Sequence, residues 1–234
     1  MAEKNLAKLD WAALAEQIDQ SGFATTPPLL SPKECRALTA LYGEADRFRS
    51  RIVMQHHGYG QGEYQYFAYP LPAAVAKLRA AFYARLAPIA NRWSEALAEA
   101  RRFPPALEDF LAECHGAGQT RPTPLMLKYG PGDYNRLHQD LYGAHVFPLQ
   151  LTILLSEPEA DFSGGEFVLT EQRPRQQSRA EVVPLRQGEA VVFAVHHRPV
   201  QGARGVYRAK LRHGVSTLRR GERFTLGIIF HDAA

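Results

Sequence analysis

The chain has 234 residues, of which 45% are hydrophobic and 22% charged, and its net charge is only +4. This composition is ordinary for a globular domain, and the length fits one domain or one core with a helical extension. No run of about 18 apolar residues is present, which excludes a membrane-spanning helix, and the charged N-terminus lacks a secretory signal's apolar stretch. We therefore expect a cytoplasmic protein.

The chain begins with a pattern typical of a helix followed by a strand. Apolar residues at spacings of three and four predict an amphipathic helix over residues 10–21, which Gly22 should end. Residues 23–26 are predicted to form a short strand.

The next helix is predicted from its start signal. Ser31 should be the N-cap, with Pro32 at the first helical position and Glu34 completing a capping box. We expect this helix to end at about Tyr42.

Residues 48–72 interrupt the helical pattern. They are rich in Tyr, Gly and His, which indicates a hairpin or long loop with its turn at residues 58–62. Helical patterns return over residues 73–101 and around residues 105–114. Residues 1–121 are thus predicted to be a helical N-terminal region that contains an aromatic and basic hairpin or loop.

From residue 122 onward the chain is predicted to be mainly β-structure. Short runs rich in Val, Ile, Leu, Phe and Thr are separated by Gly, Pro and charged turns. Seven or more strands with few helices favour a jelly-roll, a double-stranded β-helix, over residues 122–234, with the N-terminal helices packed on one sheet. The predicted strands lie within residues 124–130, 145–157, 164–171, 180–185, 188–195, 207–217 and 223–232.

The sharpest local motif is His138-Gln139-Asp140. In an extended segment, residues two apart project to the same side, so both side chains can approach one ion. His213, which follows a run of predicted strands, is the candidate third ligand. Two imidazoles and one carboxylate on one face of an octahedron form the metal-binding triad of non-haem iron(II) oxygenases.

Arg223 lies ten residues after His213 and begins an otherwise apolar predicted strand. A buried arginine is costly unless it is paired with an anion. Thr225 should point to the same side as Arg223, and a guanidinium beside a hydroxyl suits capture of a carboxylate.

Together these motifs resemble the 2-oxoglutarate- and iron(II)-dependent dioxygenases, most closely their prolyl-hydroxylase-like branch. The resemblance covers about residues 122–232 and includes the Tyr-Gly-Pro-Gly approach at 129–132, the strand 151–156 and the Gly-Gly-Glu-Phe turn at 164–167. It implies Fe(II) held by His138, Asp140 and His213. It also implies O2 and 2-oxoglutarate as co-substrates, with ascorbate as an accessory reductant.

The resemblance further implies that Arg223 binds the distal carboxylate of 2-oxoglutarate, with Thr225 and Tyr129 as hydroxyl partners. A still closer similarity is to bacterial oxygenases described as acting on nucleic acid, which share the segments LHQDLYG, RHGVS and LGIIFHD. The alkylation-repair dioxygenases carry an Arg-x-Asn-x-Thr-x-Arg pattern after the distal His. Residues 219–230 lack its Asn and second Arg, which favours hydroxylation over demethylation.

The substrate is predicted from charge and aromatic content. Residues 172–223 carry twelve Lys or Arg against three Asp or Glu, which indicates a polyanionic partner such as nucleic acid or an anionic small substrate. Tyrosines and arginines in residues 48–72 are suited to stacking on bases or gripping a peptide. The candidate substrate-facing residues are Tyr64, Tyr66, Arg136, Arg173, Arg175, His196 and His197.

The alternatives to a nucleic-acid oxygenase are a protein or peptide side-chain hydroxylase, a small-metabolite hydroxylase and a non-catalytic 2-oxoglutarate sensor. Some of the remaining patterns, including the histidine pair at 196–197, also have a purely structural interpretation. His196 and His197 are expected at a polar strand end, and His231 with Asp232 at a frayed C-terminus. Cys35 and Cys114 match no metal or redox spacing and should be buried free thiols.

Overall fold

A computed structural model describes residues 5–234. Within residues 7–234, four α-helices have bounds close to those that the patterns predict, and all of them precede residue 125. They are α1 (Trp11–Ser21), α2 (Pro32–Ala40), α3 (Ala73–Ala96) and α4 (Leu107–Gly116).

Local signals begin and end the first two helices as predicted. The Asp10 side chain accepts a hydrogen bond from the Ala13 amide at the start of α1, and Gly22 ends that helix in the left-handed conformation (φ 80°). Ser31 and Glu34 form the predicted capping box of α2. That helix ends at Ala40, slightly earlier than expected, and continues as one 3-10 turn.

Fifteen strands form two main antiparallel sheets and a small third one. In chain order the strands are β1 (Phe23–Thr26), β2 (Phe48–Val53), β3 (Gly60–Gln61), β4 (Glu63–Phe67), β5 (Leu125–Tyr129), β6 (Tyr134–His138), β7 (Leu149–Leu154), β8 (Phe162–Gly164), β9 (Phe167–Gln172), β10 (Arg179–Val183), β11 (Ala190–Ala194), β12 (His197–Gly202), β13 (Gly205–Val215), β14 (Leu218–Gly221) and β15 (Arg223–Ile228).

The sheet order confirms the predicted double-stranded β-helix. The major sheet has seven strands in the order β1-β11-β7-β15-β5-β4-β2. The minor sheet has the order β10-β9-β13-β6-β3, with β12 paired to β13, and β14 pairs with β8. The N-terminal region is therefore not only helical, because β1, β2 and β4 extend the major sheet and β3 joins the minor one. The boundary between residues 121 and 122 stays a prediction.

The alternation of side chains along the strands creates two hydrophobic layers. Leu149, Leu151 and Ile153 of β7 pack with the helices on the outer face of the major sheet. Leu154 of β7 and Phe193 of β11 belong to a second core, between the two sheets. The helices thus cover one face of the major sheet, as expected, and leave its other face to line the interior of the β-helix.

Three sequence expectations differ from the structure. The strand predicted to start at residue 145 begins at Leu149, because residues 143–148 form a turn against the helices. The segment from His197 to Gly202 is a full strand paired with β13, where only a polar strand end was expected. The helix predicted to reach residue 101 ends at Ala96.

The expectation of a frayed C-terminus is wrong. His231 and Asp232 are both fully buried. The Asp232 carboxylate accepts hydrogen bonds from Arg79 (2.8 Å) and Tyr69 (2.9 Å) and lies 2.9 Å from His115 Nε2. A carboxylate so far from water persists only when it is paired. This network ties the last residues to α3 and α4.

Candidate metal centre and its cleft

Pairing of β6 with β13 brings His138 and His213 together. They are Cα partners in the ladder, and their ring centroids lie 4.2 Å apart. Gly214 permits this close pairing, because a Cβ at that position would lie 2.7 Å from the Asn135 carbonyl oxygen of β6. The strand pairing thus brings together two histidines that are 75 positions apart in the sequence.

Asp140 completes the group from the loop after β6. Its carboxylate oxygens lie 3.5 Å from His138 Nε2 and 3.4 Å from His213 Nε2. The three candidate ligand atoms all lie within 4.8 Å of one another. Within residues 5–234 this is the only group of three His, Cys, Asp or Glu side chains with such spacing.

The surroundings hold the imidazoles ready to bind a cation. His138 Nδ1 lies 2.7 Å from the Arg136 carbonyl oxygen, so Nδ1 carries the proton and Nε2 keeps its lone pair. Burial, together with the nearby His213, lowers the pKa of His138, which favours the neutral form that ligates metals. Phe193 and Phe167 pack against the His213 ring.

The Asp140 carboxylate is ionised despite its burial. Burial raises its pKa, but the hydrogen bond with His213 and the two imidazoles outweigh this effect and leave the pKa below the ordinary value. Tyr142 donates a hydrogen bond to Asp140 Oδ1 at 2.8 Å. Burial holds the pKa of Tyr142 above its ordinary value, so the phenol keeps the proton that it donates.

Gln119, at the end of the helical region, holds the loop that carries Tyr142. Its Nε2 lies 3.2 Å from the Tyr142 carbonyl oxygen and 3.1 Å from that of His145, and its Oε1 accepts from the His145 amide. Its Nε2 also donates to the Asp232 carbonyl at 2.6 Å. The position of Tyr142 therefore depends on contacts between segments that are far apart in the sequence, since Gln119 and Asp232 are 113 residues apart.

Arg223 lies in the cleft interior, and its guanidinium forms no ion pair with a carboxylate among the described residues; Glu166 acts on it only from a longer distance. Arg223 is 2% exposed, and its Nε and Nη1 have no hydrogen-bond partner. Burial lowers its pKa to about 10, so the guanidinium is charged at neutral pH. Tyr129, the Cα partner of Arg223 on β5, is also fully buried with an unpartnered hydroxyl. Unpaired donors in such a place are expected to face an anionic ligand.

One cleft contains both the triad and Arg223. The cleft has a volume of about 180 Å³, and Thr225 also lines it. Tyr64 and Tyr66 form part of its wall, with their rings edge to face at 5.3 Å. The guanidinium of Arg49 lies 4.5 Å from the Tyr66 ring centroid.

A protein-family model described as an oxygenase catalysing oxidative methylation of damaged DNA matches residues 62–233. The chain belongs to this oxygenase family. Two uncharacterized proteins of Mycobacterium tuberculosis, from strains CDC 1551 / Oshkosh and ATCC 25618 / H37Rv, are each 54% identical over 168 residues, which is 72% of this chain and 72% of theirs.

Solved structures share the fold at low sequence identity. A 2-oxoglutarate-Fe(II) oxygenase family oxidoreductase from Burkholderia pseudomallei aligns with a TM-score of 0.56 and 17% identity over 97% of this chain and 94% of its own. A Pseudomonas putida prolyl-4-hydroxylase aligns with a TM-score of 0.54 and 16% identity over 96% and 99%. The family match identifies the chain as an oxygenase, an oxidoreductase, and the His-Asp-His group could hold a metal ion.

Five predicted substrate-facing residues do not line the cleft of this oxygenase. Arg136 is exposed on β6, and Arg175 is exposed in a turn. Arg173 is paired with Glu171 at 2.6 Å. His196 and His197 line a different pocket, beside α3. Their part in substrate binding stays a prediction.

The basic region 172–223 is partly neutralised by acidic residues. Arg173 and Arg198 both pair with Glu171, Arg208 pairs with Glu99, and Arg220 lies 3.5 Å from Glu159. Counting charges in the sequence missed this, because all three acidic partners lie outside residues 172–223. No helix among residues 5–234 is long and apolar enough to cross a membrane.

Two cleft residues, Tyr142 and Gln150, were missed at the sequence level, and Tyr59 was considered only as part of the aromatic and basic segment 48–72. Tyr59 is 49% exposed in the 3-10 turn region between β2 and β3, and it lines the cleft. Tyr142 is two residues beyond Asp140, the same spacing that marked the His-x-Asp pair. Gln150 interrupts the apolar run of β7, and that interruption was the available signal.

Proposed function

We propose that His138, Asp140 and His213 are the ligands of Fe(II), and that Arg223, Thr225 and Tyr129 bind the distal carboxylate of 2-oxoglutarate. The unpartnered guanidinium of Arg223 carries this proposal, because a buried cation without an anion is strongly unfavourable. The ligand set also fits, since two imidazoles and one carboxylate suit iron(II) and leave positions for a chelating co-substrate and O2.

Bound iron with 2-oxoglutarate and O2 supplies the oxidising chemistry: one oxygen atom enters the substrate C–H bond, the other enters succinate, and CO2 leaves. The protein residues position these groups. Tyr142 orients Asp140 through its hydrogen bond, and Arg136 fixes the His138 ring through its carbonyl. Phe193 and Phe167 shield His213 from water.

We also propose that the substrate is a nucleic acid, oxidised on one base that enters the cleft. The family description names damaged DNA, and the cleft has a wall suited to a base. Aromatic rings stack on bases of any sequence, and arginines contribute stacking and phosphate contacts. Tyr64 and Tyr66 supply this wall, with Arg49 behind Tyr66. Tyr59 and Leu137 are exposed aromatic and aliphatic side chains on neighbouring segments.

The test is aerobic turnover with Fe(II), 2-oxoglutarate and ascorbate on single- and double-stranded oligonucleotides, unmodified or carrying N-methylated bases. We expect succinate formation that depends on the oligonucleotide, with single strands preferred because their bases reach a cleft without unpairing. Mass spectrometry of the product distinguishes gain of one oxygen atom from loss of a methyl group. A peptide library serves as the parallel arm, and succinate formation stimulated by peptides alone would reject the nucleic-acid proposal.

A further inference from the structure

Gln150 is a buried amide in the wall of the cleft. It lies on β7 between Leu149 and Leu151, both of which pack against the helices. Alternation therefore turns Gln150 to the other face of the sheet, where it lines the cleft together with Thr152. The side chain is 4% exposed, and its Nε2 has no hydrogen-bond partner.

The fold does not require an amide at this position. A buried donor without an acceptor destabilises a protein, whereas an apolar residue would continue the run of β7 at no such cost. Gln65 shows the ordinary case in the same sheet: it is 8% exposed, and its Nε2 donates to the Tyr42 carbonyl at 2.9 Å. The unmatched amide of Gln150 therefore indicates a ligand.

That ligand differs from the one expected at Arg223. Leu151, the neighbour of Gln150, is the Cα partner of Ile228, whereas Arg223 begins β15 five residues earlier. Gln150 lies level with Ile229 in this antiparallel register, six residues from Arg223. At 3.3–3.4 Å per residue, the two backbone positions are roughly 20 Å apart along the sheet. A five-carbon dicarboxylate bound at Arg223 and the metal is too short to extend from there to Gln150. The amide faces the part of the cleft left for the substrate.

We infer that Gln150 is a specificity-determining residue that hydrogen-bonds the polar edge of the base to be oxidised. This inference rests on the proposed nucleic-acid function. A primary amide presents a donor beside an acceptor, the pattern that pairs with a base edge offering an acceptor beside a donor. Tyr66, on the same cleft wall, supplies the ring on which the base stacks.

The experiment compares two single-stranded oligonucleotides that differ at one position, where one has a base and the other is abasic. Binding to the protein loaded with Fe(II) and 2-oxoglutarate is measured without O2 by fluorescence anisotropy. Unmodified and N-methylated bases are screened, and the base bound most tightly is kept. For the wild type we expect the base to tighten binding about 30-fold, of which two ordinary hydrogen bonds provide about tenfold and stacking the rest.

Gln150→Met keeps the side-chain length and removes the hydrogen bonds. We expect it to reduce the base preference to about threefold or less, the remainder being stacking, with no fall in melting temperature. Gln65→Met is the matched control, because Gln65 faces away from the cleft between Tyr64 and Tyr66. It should lower the melting temperature and keep the full base preference. Gln150→Asn, which retains the amide with a shorter reach, should fall between Gln150→Met and the wild type.

The outcomes separate the two proposals. A wild-type base preference that persists in Gln150→Met overturns the assignment of Gln150 and leaves the nucleic-acid function intact. A wild type that binds the oligonucleotides equally with and without the base, or does not bind them, overturns both. Loss of the preference in Gln150→Met, with Gln65→Met unchanged, supports the inference.

Discussion

Replacing Arg223 by methionine tests the centre of the 2-oxoglutarate assignment. Burial lowers the pKa of Arg223 from its ordinary value to about 10, which corresponds to about 3 kcal/mol of destabilisation of the charged side chain. Methionine has a similar length and no charge. We therefore expect the ligand-free Arg223→Met protein to be at least as stable as the wild type, which is unusual for a change at a buried polar residue.

The same change should weaken the binding of 2-oxoglutarate. A guanidinium and a carboxylate form two charge-assisted hydrogen bonds, each contributing about 1.5–3 kcal/mol, so the loss in affinity should be at least about 100-fold. Anaerobic titration of the Fe(II)-loaded protein with 2-oxoglutarate, followed by the absorbance of the iron–2-oxoglutarate chelate, measures this. Differential scanning calorimetry of the ligand-free proteins measures the stability.

Arg198→Met is the matched control. Arg198 is also a buried arginine, 3% exposed, but it has partners: Glu171 at 2.6 Å and the Asp19 carbonyl at 3.2 Å. Its loss removes one of the two arginines paired with Glu171 and the donor to the Asp19 carbonyl, so we expect a lower melting temperature and an unchanged affinity for 2-oxoglutarate. Wild-type affinity in Arg223→Met would refute the reasoning, because the anion must then bind elsewhere.

The other predictions concern the metal group and the C-terminus. His138→Ala should abolish Fe(II) binding in equilibrium dialysis and the turnover of 2-oxoglutarate; retained activity would reject the ligand assignment. Tyr142→Phe should lower Fe(II) affinity about 10- to 100-fold, since it removes the hydrogen bond that orients Asp140, and an unchanged affinity would contradict that role. Burial lowers the pKa of His231 to about 4, so between about pH 6.5 and pH 4 the unfolded chain binds more protons than the folded one. The free energy of unfolding should therefore fall by up to about 3 kcal/mol as the pH drops through this range, and urea titrations of His231→Gln should show a flatter dependence.

Local signals explain why much of the architecture was predictable. The capping box at Ser31 and the αL glycine at position 22 act through residues at most four positions away, so they appear in the sequence as fixed spacings. The alternation of side chains along β7 and β11 likewise follows from the local backbone. One set of side chains packs against the helices, and the other set faces the interior of the β-helix. His138 and Asp140 were recognisable for the same reason, because two residues of extended chain are enough to bring them together.

Other features depend on contacts between distant segments. Gln119 donates to the carbonyl of Asp232, 113 residues away, and the Asp232 carboxylate pairs with Arg79, 153 residues away. No local spacing marks such contacts, which is why His231 and Asp232 were interpreted as a frayed end. The ion pairs that neutralise part of the basic region are long-range as well, so counting charges along the chain overstated the free positive surface.

The sequence by itself determined the class of fold, the chemistry of the donor set and the unusual cost of an arginine in an apolar strand, since these follow from residue type and short-range periodicity. Only the tertiary structure decided that His213 meets the His-x-Asp pair, that Arg223 forms no ion pair with a carboxylate within residues 5–234, and that Gln150 shares their cleft. Those facts depend on the register between strands, and register is set by the packing of both sheets and the helices together.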